Sequence, residues 1–190
     1  MEQPAITILN DNRIMTIATV RPDGWPQATM VGYANQGFRL YFLIHRTSQK
    51  FDNIGHNNRV AIIVAREPAE LRDVKAVYAG CSVHEVTDPA ERSRAWQLLA
   101  KRHPNLTDLT PPEEAEVATM AADCKHVSVL DYSQGLGHTE ALTVSDQLPD
   151  AQTASDAGST DVERHALKGA VSSSPRPKLA AHLAEACQYV

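Results

Sequence analysis

FRLYFLIHRTSQKFDNIGHNN, residues 38–58, joins a strand pattern to the start of a short helix. Its first half places a large apolar residue at every second position, which is typical of a β-strand. Ser48 is a favourable N-cap residue for the helix that would follow. Phe51 and Ile54 lie three residues apart, so they would share one face of that helix. The stretch therefore predicts a strand that runs into a capped helix.

The start of this predicted helix has the chemistry of an anion site. The first amides of a helix lack intrahelical partners, and Arg46 and Lys50 add two cations beside them. A phosphate group would be matched there in both charge and hydrogen bonding. A capped surface helix with two solvated cations is the alternative, and the residues alone leave both interpretations open.

The composition predicts an ordinary globular chain without an extreme charge. The 190 residues are 43% hydrophobic and 22% charged, with a formal net charge of −5. No basic field indicates a nucleic-acid or anionic-membrane partner. The sequence has no apolar run near the ~20 residues of a membrane span and no secretory signal pattern. Three widely separated cysteines fit a reducing compartment, so a cytoplasmic location is expected.

Six segments have the composition or alternation of strands. Asp23 and Gly24 form a hairpin signal between the first two, and Gly80 is expected to mark a bulge in the fifth. The continuous apolar run of the fourth predicts burial on both of its faces. The predicted strands cover residues 13–20, 27–34, 38–45, 59–66, 74–86 and 125–132.

Helix signals are fewer. A lead-in helix is predicted over residues 6–12, and Asp88 begins a helix that should run to about His103, with Trp96 on its inward face. A similar start signal at residues 110–113 predicts another helix to about Asp123.

The composition changes near residue 142. Residues 1–142 form the predicted domain, and residues 143–177 are rich in Ser, Thr, Ala and Pro, as in a flexible linker. Residues 178–190 are expected to form a short amphipathic helix.

Six strands with so few helices favour a small antiparallel barrel, because closure removes exposed strand edges. In order and spacing, five motifs resemble the pyridoxamine-5'-phosphate-oxidase-like family of FMN-binding split β-barrels over roughly residues 5–135. They are Ile17-Ala18-Thr19-Val20, Asp23-Gly24-Trp25-Pro26, Tyr41-Phe42, Ser48-x-Lys50-x-x-x-Ile54 and Asn58-Arg59-Val60-Ala61. The expected fold is mainly β (α+β), a six-stranded antiparallel split barrel with a few peripheral helices.

The resemblance implies an FMN-binding oxidoreductase that is a homodimer with the cofactor at its interface. A small-molecule substrate and a hydride donor such as NAD(P)H are implied as well. The phosphate would be held by residues matching Ser48 and Lys50, with Arg46, Thr47 and Gln49 beside it. The flavin ring would lie against backbone of the second and third strands, at Ala28, Thr29, Met30, Val31, Leu43 and Ile44.

The chain departs from the family pattern at two places. Its second strand carries no Arg or Lys, where a phosphate ligand is usual, and nothing after Lys125 resembles the substrate-binding segment of true pyridoxamine-phosphate oxidases. The chain looks more like general-stress-type and uncharacterised relatives. A non-catalytic flavin-binding stress protein is therefore the alternative, and the same barrel using haem or the deazaflavin F420 is a third.

No side chain stands out as a general acid or base, so no catalytic residue is predicted. The eight histidines show no helical i, i+4 pair, and no metal site is expected. Trp25 is either a hydrophobic plug of the barrel or a wall of the ligand pocket or dimer seam. Cys81 and Cys124 are expected to be inert small hydrophobic residues.

Overall fold

The computed structural model describes residues 2–106 and 111–144. Within these residues the helices are α1 (Glu2–Asp11), α2 (Gln49–His56) and α3 (Pro89–Arg102). The strands are β1 (Ile14–Val20), β2 (Pro26–Gln36), β3 (Arg39–His45), β4 (Arg59–Ala65), β5 (Lys75–Glu85), β6 (Val117–Asp131) and β7 (Thr139–Thr143). Single 3-10 turns lie at Leu71–Asp73, Pro104–Leu106 and Tyr132–Gln134.

Six of the strands form a closed antiparallel barrel, as the sequence predicts. The strand order is β3-β2-β1-β4-β5-β6, and pairing of β3 with β6 closes the ring. The closing ladder runs from Arg39 opposite Asp123 to His45 opposite Val117. β7, which the sequence did not indicate, pairs with the second half of β6. The protein is therefore mainly β, with helices added to the barrel.

The core lies inside this barrel, on the inward side of each alternating strand. Ile17, Phe42, Ile62 and Val77 are among its fully buried members. Helix α1 adds Leu9 to the same core. Burial of such side chains is the dominant favourable term in folding, at about 1.5–3 kcal/mol each.

The helix predicted over residues 110–123 is wrong, because this segment enters β6. The start signal does produce one turn, in which the carbonyl of Glu113 accepts from the amides of Glu116 and Val117. From Val117 onward the backbone is instead paired with β3 on one side and β5 on the other. Two strand neighbours thus outweigh a local helix preference. The strand predicted at 125–132 is the second half of this same element.

The prediction that the fourth strand is buried on both faces is also wrong. In β4, Val60, Ile62 and Val64 are buried, whereas Ala61 and Ile63 between them are exposed. Apolar side chains therefore remain on the surface along the outward face of β4.

The other local signals correspond to structure. Gly24 has a φ of +90° in the β1–β2 turn, a conformation that favours glycine. The register of β5 with β6 shifts between Gly80 and Cys81, at the predicted bulge. Asp88 caps α3 by accepting from the amide of Glu91 at 2.7 Å. Trp96 is only half-buried, so it is not the core residue that was expected.

Helix α3 is fastened to the barrel and to α1 by its last residue, Arg102. The guanidinium donates to the carbonyls of Leu9 and Asn12 at 2.9 and 2.7 Å, and to the side chain of Asn35 at 2.8 Å. It therefore satisfies carbonyl groups at and beyond the end of α1.

The linker predicted at 143–177 lies outside the described residues, except for its first two residues. The helix predicted at 178–190 also lies outside them.

Candidate functional site

The end of β3 turns directly into the start of α2, as the pattern of residues 38–58 predicts. Ser48 has an extended backbone and accepts from the amide of Phe51 through its side chain. Its hydroxyl also donates to the carbonyl of His45 at 2.7 Å. The predicted N-cap is thus confirmed, and the cap fixes the direction of the first helical turn.

Lys50, in the first turn of α2, is a buried lysine. Only 3% of its surface is exposed, although an ammonium group loses favourable hydration when it is buried. The helix start adds partial positive charge of its own. An anion near this turn would therefore gain from both the side chain and the helix, which is the chemistry expected of a phosphate site.

Arg46 lies beside the same turn, but its guanidinium is engaged by other groups. Both of its terminal nitrogens meet the carboxylate of Glu85, and Nε donates to the carbonyl of Glu114 at 2.7 Å. The hydrogen bond with Glu85 raises the pKa of Arg46. The guanidinium also lies over the ring of Phe51 at 5.4 Å. Arg46 is thus held as a wall of the site, with its hydrogen-bonding capacity largely used.

A polar network anchors α2 to the barrel wall. The amide nitrogen of Asn53, which is fully buried, donates to Thr19 Oγ1 and to Gln27 Oε1, each at 2.9 Å. Its oxygen accepts from Gln49 Nε2 at 3.0 Å. One side chain therefore connects α2 to β1 and β2, and it fixes the position of Lys50 relative to both strands.

β2 and β3 separate next to this helix start. Their ladder contains four pairs and ends with Tyr33 opposite Phe42. Beyond that last pair lie residues 28–31 of β2 and Leu43 and Ile44 of β3. There β2 remains paired with β1, and β3 remains paired with β6. The backbone groups that face the gap can bind a ligand lying between the two strands. The predicted ring-binding residues thus lie on the two strands beyond the end of their shared ladder.

The predicted residues of β2 point in two directions. Ala28 and Met30 face outward, and Met30 is 68% exposed. Val31 and Thr29 face the opposite way, and the Oγ1 atom of Thr29 is buried without a hydrogen-bond partner in the described part of the chain. A buried hydroxyl of this kind gains free energy from a polar ligand atom. The Thr29 hydroxyl therefore fits a polar ligand atom.

An exposed apolar surface, which we call the outer face, continues from Met30 across the sheet. In register, Met30 lies opposite Thr16, Thr16 opposite Ile63, and Ile63 opposite Tyr78. In the isolated chain Met30, Ile63 and Tyr78 are all exposed. Exposed apolar side chains aligned on one face of a sheet in this way mark interaction sites more often than scattered residues do.

Sequence reasoning missed Thr19, Gln27 and Asn53. Thr19 and Asn53 stand in the matched motif region, but their pairing joins positions 34 residues apart. The signal available in the sequence was Asn53, a polar residue on the apolar side of a short helix.

Trp25 is 71% exposed, so it does not plug the barrel. His45 is half-buried, and its Nδ1 meets the Thr47 hydroxyl at 2.7 Å.

Two kinds of feature do not occur in the described residues. No cluster of three or more His, Cys, Asp or Glu side chains there has an arrangement suited to a metal ion. None of the helices in those ranges combines the length and the apolar character needed to cross a bilayer.

Residues 1–130 match the family model described as Pyridoxamine 5'-phosphate oxidase. Among solved structures, the chain resembles General Stress Protein 26 from Bacillus anthracis str. Sterne, with 19% identity and a TM-score of 0.57 over 75% of this chain and 98% of that one. A FAD-binding protein from Mesorhizobium loti is 22% identical, with a TM-score of 0.54 over 68% and 91% of the two chains.

A heme binding protein from Mycobacterium smegmatis is 17% identical, with a TM-score of 0.65 over 75% of this chain. The match spans only 57% of that longer protein. No curated protein matches the chain in sequence. At these identities the solved structures show a shared fold.

Proposed function

The chain belongs to the pyridoxamine 5'-phosphate oxidase family, and on that basis we propose that it is an oxidoreductase that binds FMN and acts on a small substrate. The observation that carries this proposal is the separation of β2 from β3 directly beside the capped start of α2. A ring and a phosphate of one ligand can be held side by side in that arrangement.

The phosphate would lie at the start of α2, where Lys50 supplies charge and Ser48 fixes the helical turn. Gln49 and Thr47 flank this position, and Arg46 closes one side of it. The second strand supplies no cation, so Lys50 and the helix start carry most of the electrostatic attraction for the phosphate.

The ring would lie between residues 28–31 of β2 and the end of β3, against Leu43 and Ile44. Thr29 would donate or accept one hydrogen bond there. A bound flavin supplies hydride and electron transfer, and the protein supplies its position and surroundings. NAD(P)H as electron donor is part of the proposal. A cytoplasmic location is also part of the proposal, because the free thiols of Cys81 and Cys124 fit a reducing compartment.

We also propose that the protein is a homodimer joined through the outer face. Large apolar side chains exposed in register across β2, β4 and β5 are costly in water and suit an identical surface of a second copy. Because Met30 of the outer face is adjacent to Thr29 and Val31, the cofactor opening would then border the interface.

The first test compares FMN with riboflavin, which differ only in the phosphate. Lys50→Met removes the charge and keeps most of the side-chain volume, so FMN affinity should fall by about 10- to 100-fold, or about 1.5–3 kcal/mol. Riboflavin affinity should change little. Lys101→Met, on the exposed surface of α3, is the matched control. Equal losses for both ligands would remove the phosphate assignment.

The second test asks whether the flavin-loaded protein turns over. Sustained NAD(P)H oxidation with an electron acceptor present supports an enzyme, whereas its absence supports the flavin-binding stress protein. Thermal shift measurements with FMN, haem and the deazaflavin F420 then rank the cofactors, because a ligand of the native state stabilises it in proportion to ln(1 + [L]/Kd).

A further inference from the structure

Cys81 of β5 and Cys124 of β6 form a close pair in the barrel wall. They are direct register partners at the bulge, where Gly80 lies opposite His126 and Lys125 is the extra residue. Their sulfur atoms are 3.3 Å apart, and both residues are reduced. Cys81 and Cys124 are 4% and 5% exposed.

The backbone at this pair has the geometry that a cross-strand disulfide requires. The amide of Cys124 donates to the carbonyl of Phe38 at 3.1 Å, on the side away from β5. The two cysteines therefore form a non-hydrogen-bonded pair, in which Cα atoms are about 4.5 Å apart. That separation lies within the range of about 4.4–6.8 Å found in disulfides. A bond between the sulfur atoms thus needs little movement of either strand.

We propose that Cys81 and Cys124 are a redox modification site, which hydrogen peroxide converts into a reversible cross-strand disulfide. In the first step one sulfur attacks a peroxide oxygen, the O–O bond breaks, and a sulfenic acid and one water form. In the second step the other sulfur displaces the sulfenic oxygen, which leaves as water with the remaining thiol proton. Two thiols thus lose two electrons to one peroxide, which is reduced to two waters.

Burial determines which reagents reach this pair. A small neutral oxidant can enter the barrel wall. A bulky aromatic disulfide of the kind used to detect thiols is excluded while the protein is folded. The hydrogen bond with Cys124, together with burial, raises the pKa of Cys81, and the thiolate is the reactive form. The first step is therefore slow, whereas the second is fast because the partner sulfur is already in contact.

The site is independent of the flavin proposal, since it requires no cofactor. Its product would connect β5 and β6 at their bulge, next to Asp123, which binds Arg39 of β3 at 2.6 Å. The modification would therefore cross-link β6 to β5, on the side of β6 opposite the β3–β6 ladder at which the barrel closes.

The experiment treats the folded, full-length protein with hydrogen peroxide, removes the excess, and then counts thiols after unfolding. The reduced chain has three thiols, and the treated chain should keep one, with a mass lower by about 2 Da from two lost hydrogens. Tryptic peptides 76–92 and 103–125 should be joined until a dithiol reductant separates them. The Cys187→Ser variant should lose both of its thiols in the same way.

Three results would overturn the proposal. One is survival of all three thiols in the folded protein at a peroxide dose that oxidises the unfolded chain. Another is a gain of about 16 or 32 Da on either cysteine without linked peptides, the mark of sulfenic or sulfinic acid. The third is a link that includes Cys187. Because the wild-type chain carries the test, no variant needs to fold for it to be decided.

Discussion

The imidazole of His103 lies over Gly32, and a Cβ atom placed on that glycine would be 3.1 Å from the Cε1 atom of the ring. His103 is the residue after α3, and its Nε2 is 3.0 Å from the carbonyl of Tyr33. The ring is therefore held in place, and the absence of a side chain at residue 32 allows α3 to approach β2.

Gly32→Ala should destabilise the protein by about 1–3 kcal/mol, because the new methyl group overpacks a ring that cannot withdraw without losing its hydrogen bond. Gly55→Ala is the matched control. Gly55 lies in α2 with open space around its Cβ position, so this change should stabilise the protein by about 0.5–1 kcal/mol. Urea unfolding measures both. A neutral or stabilising Gly32→Ala would show that the ring is mobile.

The free energy of unfolding should decrease as the pH falls from about 7 to 5. Burial, reinforced by Arg13 and Arg102, lowers the pKa of folded His103 below its ordinary value of 6.5. The unfolded chain therefore takes up the proton first, and the stability present above pH 6.5 is lost as the pH decreases.

His103→Gln removes this titration and should flatten the slope between these pH values. Equal slopes in the parent chain and in His103→Gln would contradict the assignment.

Asn53→Ala should cost about 2–4 kcal/mol, because it removes from the buried Thr19 hydroxyl and the half-buried Gln27 side chain the donor that they share. The same substitution at exposed Asn58, which follows α2, should change stability by less than about 0.5 kcal/mol. Thermal unfolding of the two variants is the measurement. Similar melting temperatures would show that α2 is held by apolar contacts alone.

Met30→Lys and Ile63→Lys should each convert the proposed dimer to a monomer, because a charge would be buried in the outer face. Leu136→Lys is the control, since Leu136 is an apolar residue that is 82% exposed in the turn before β7. Light scattering coupled to size-exclusion chromatography reports the mass of each variant. A parent chain that is monomeric at high concentration would refute the homodimer.

Local patterns predicted most of the barrel correctly. Alternation in residues 38–45, the Asp23-Gly24 turn and the caps at Ser48 and Asp88 depend on neighbouring residues, so they can be recognised in the sequence. The first half of β6 could not be recognised in the sequence. Glu113 begins a real helical turn, and only pairing with β3 and β5 makes the residues after that turn a strand.

The candidate site divides along the same lines. The Ser48 cap was visible in the sequence, whereas the position of Asn53 between two strands depends on the assembled barrel. The closeness of Cys81 and Cys124 had no local signal either, since Cys124 lies just beyond the segment predicted to be a helix. The role of Lys50 toward a phosphate stays a prediction.

The order in which the barrel is joined has a consequence for its biosynthesis. Arg39 meets Asp123 across the closing ladder although 84 residues separate them in the chain. During translation, β1 to β5 can emerge and pair while β3 still presents an unpaired edge, which is a template for aggregation until β6 arrives. Such long-range closure makes folding slow. We therefore expect a ribosome-bound chain that ends before residue 117 to bind chaperones, and a chain released beyond residue 131 to bury that edge.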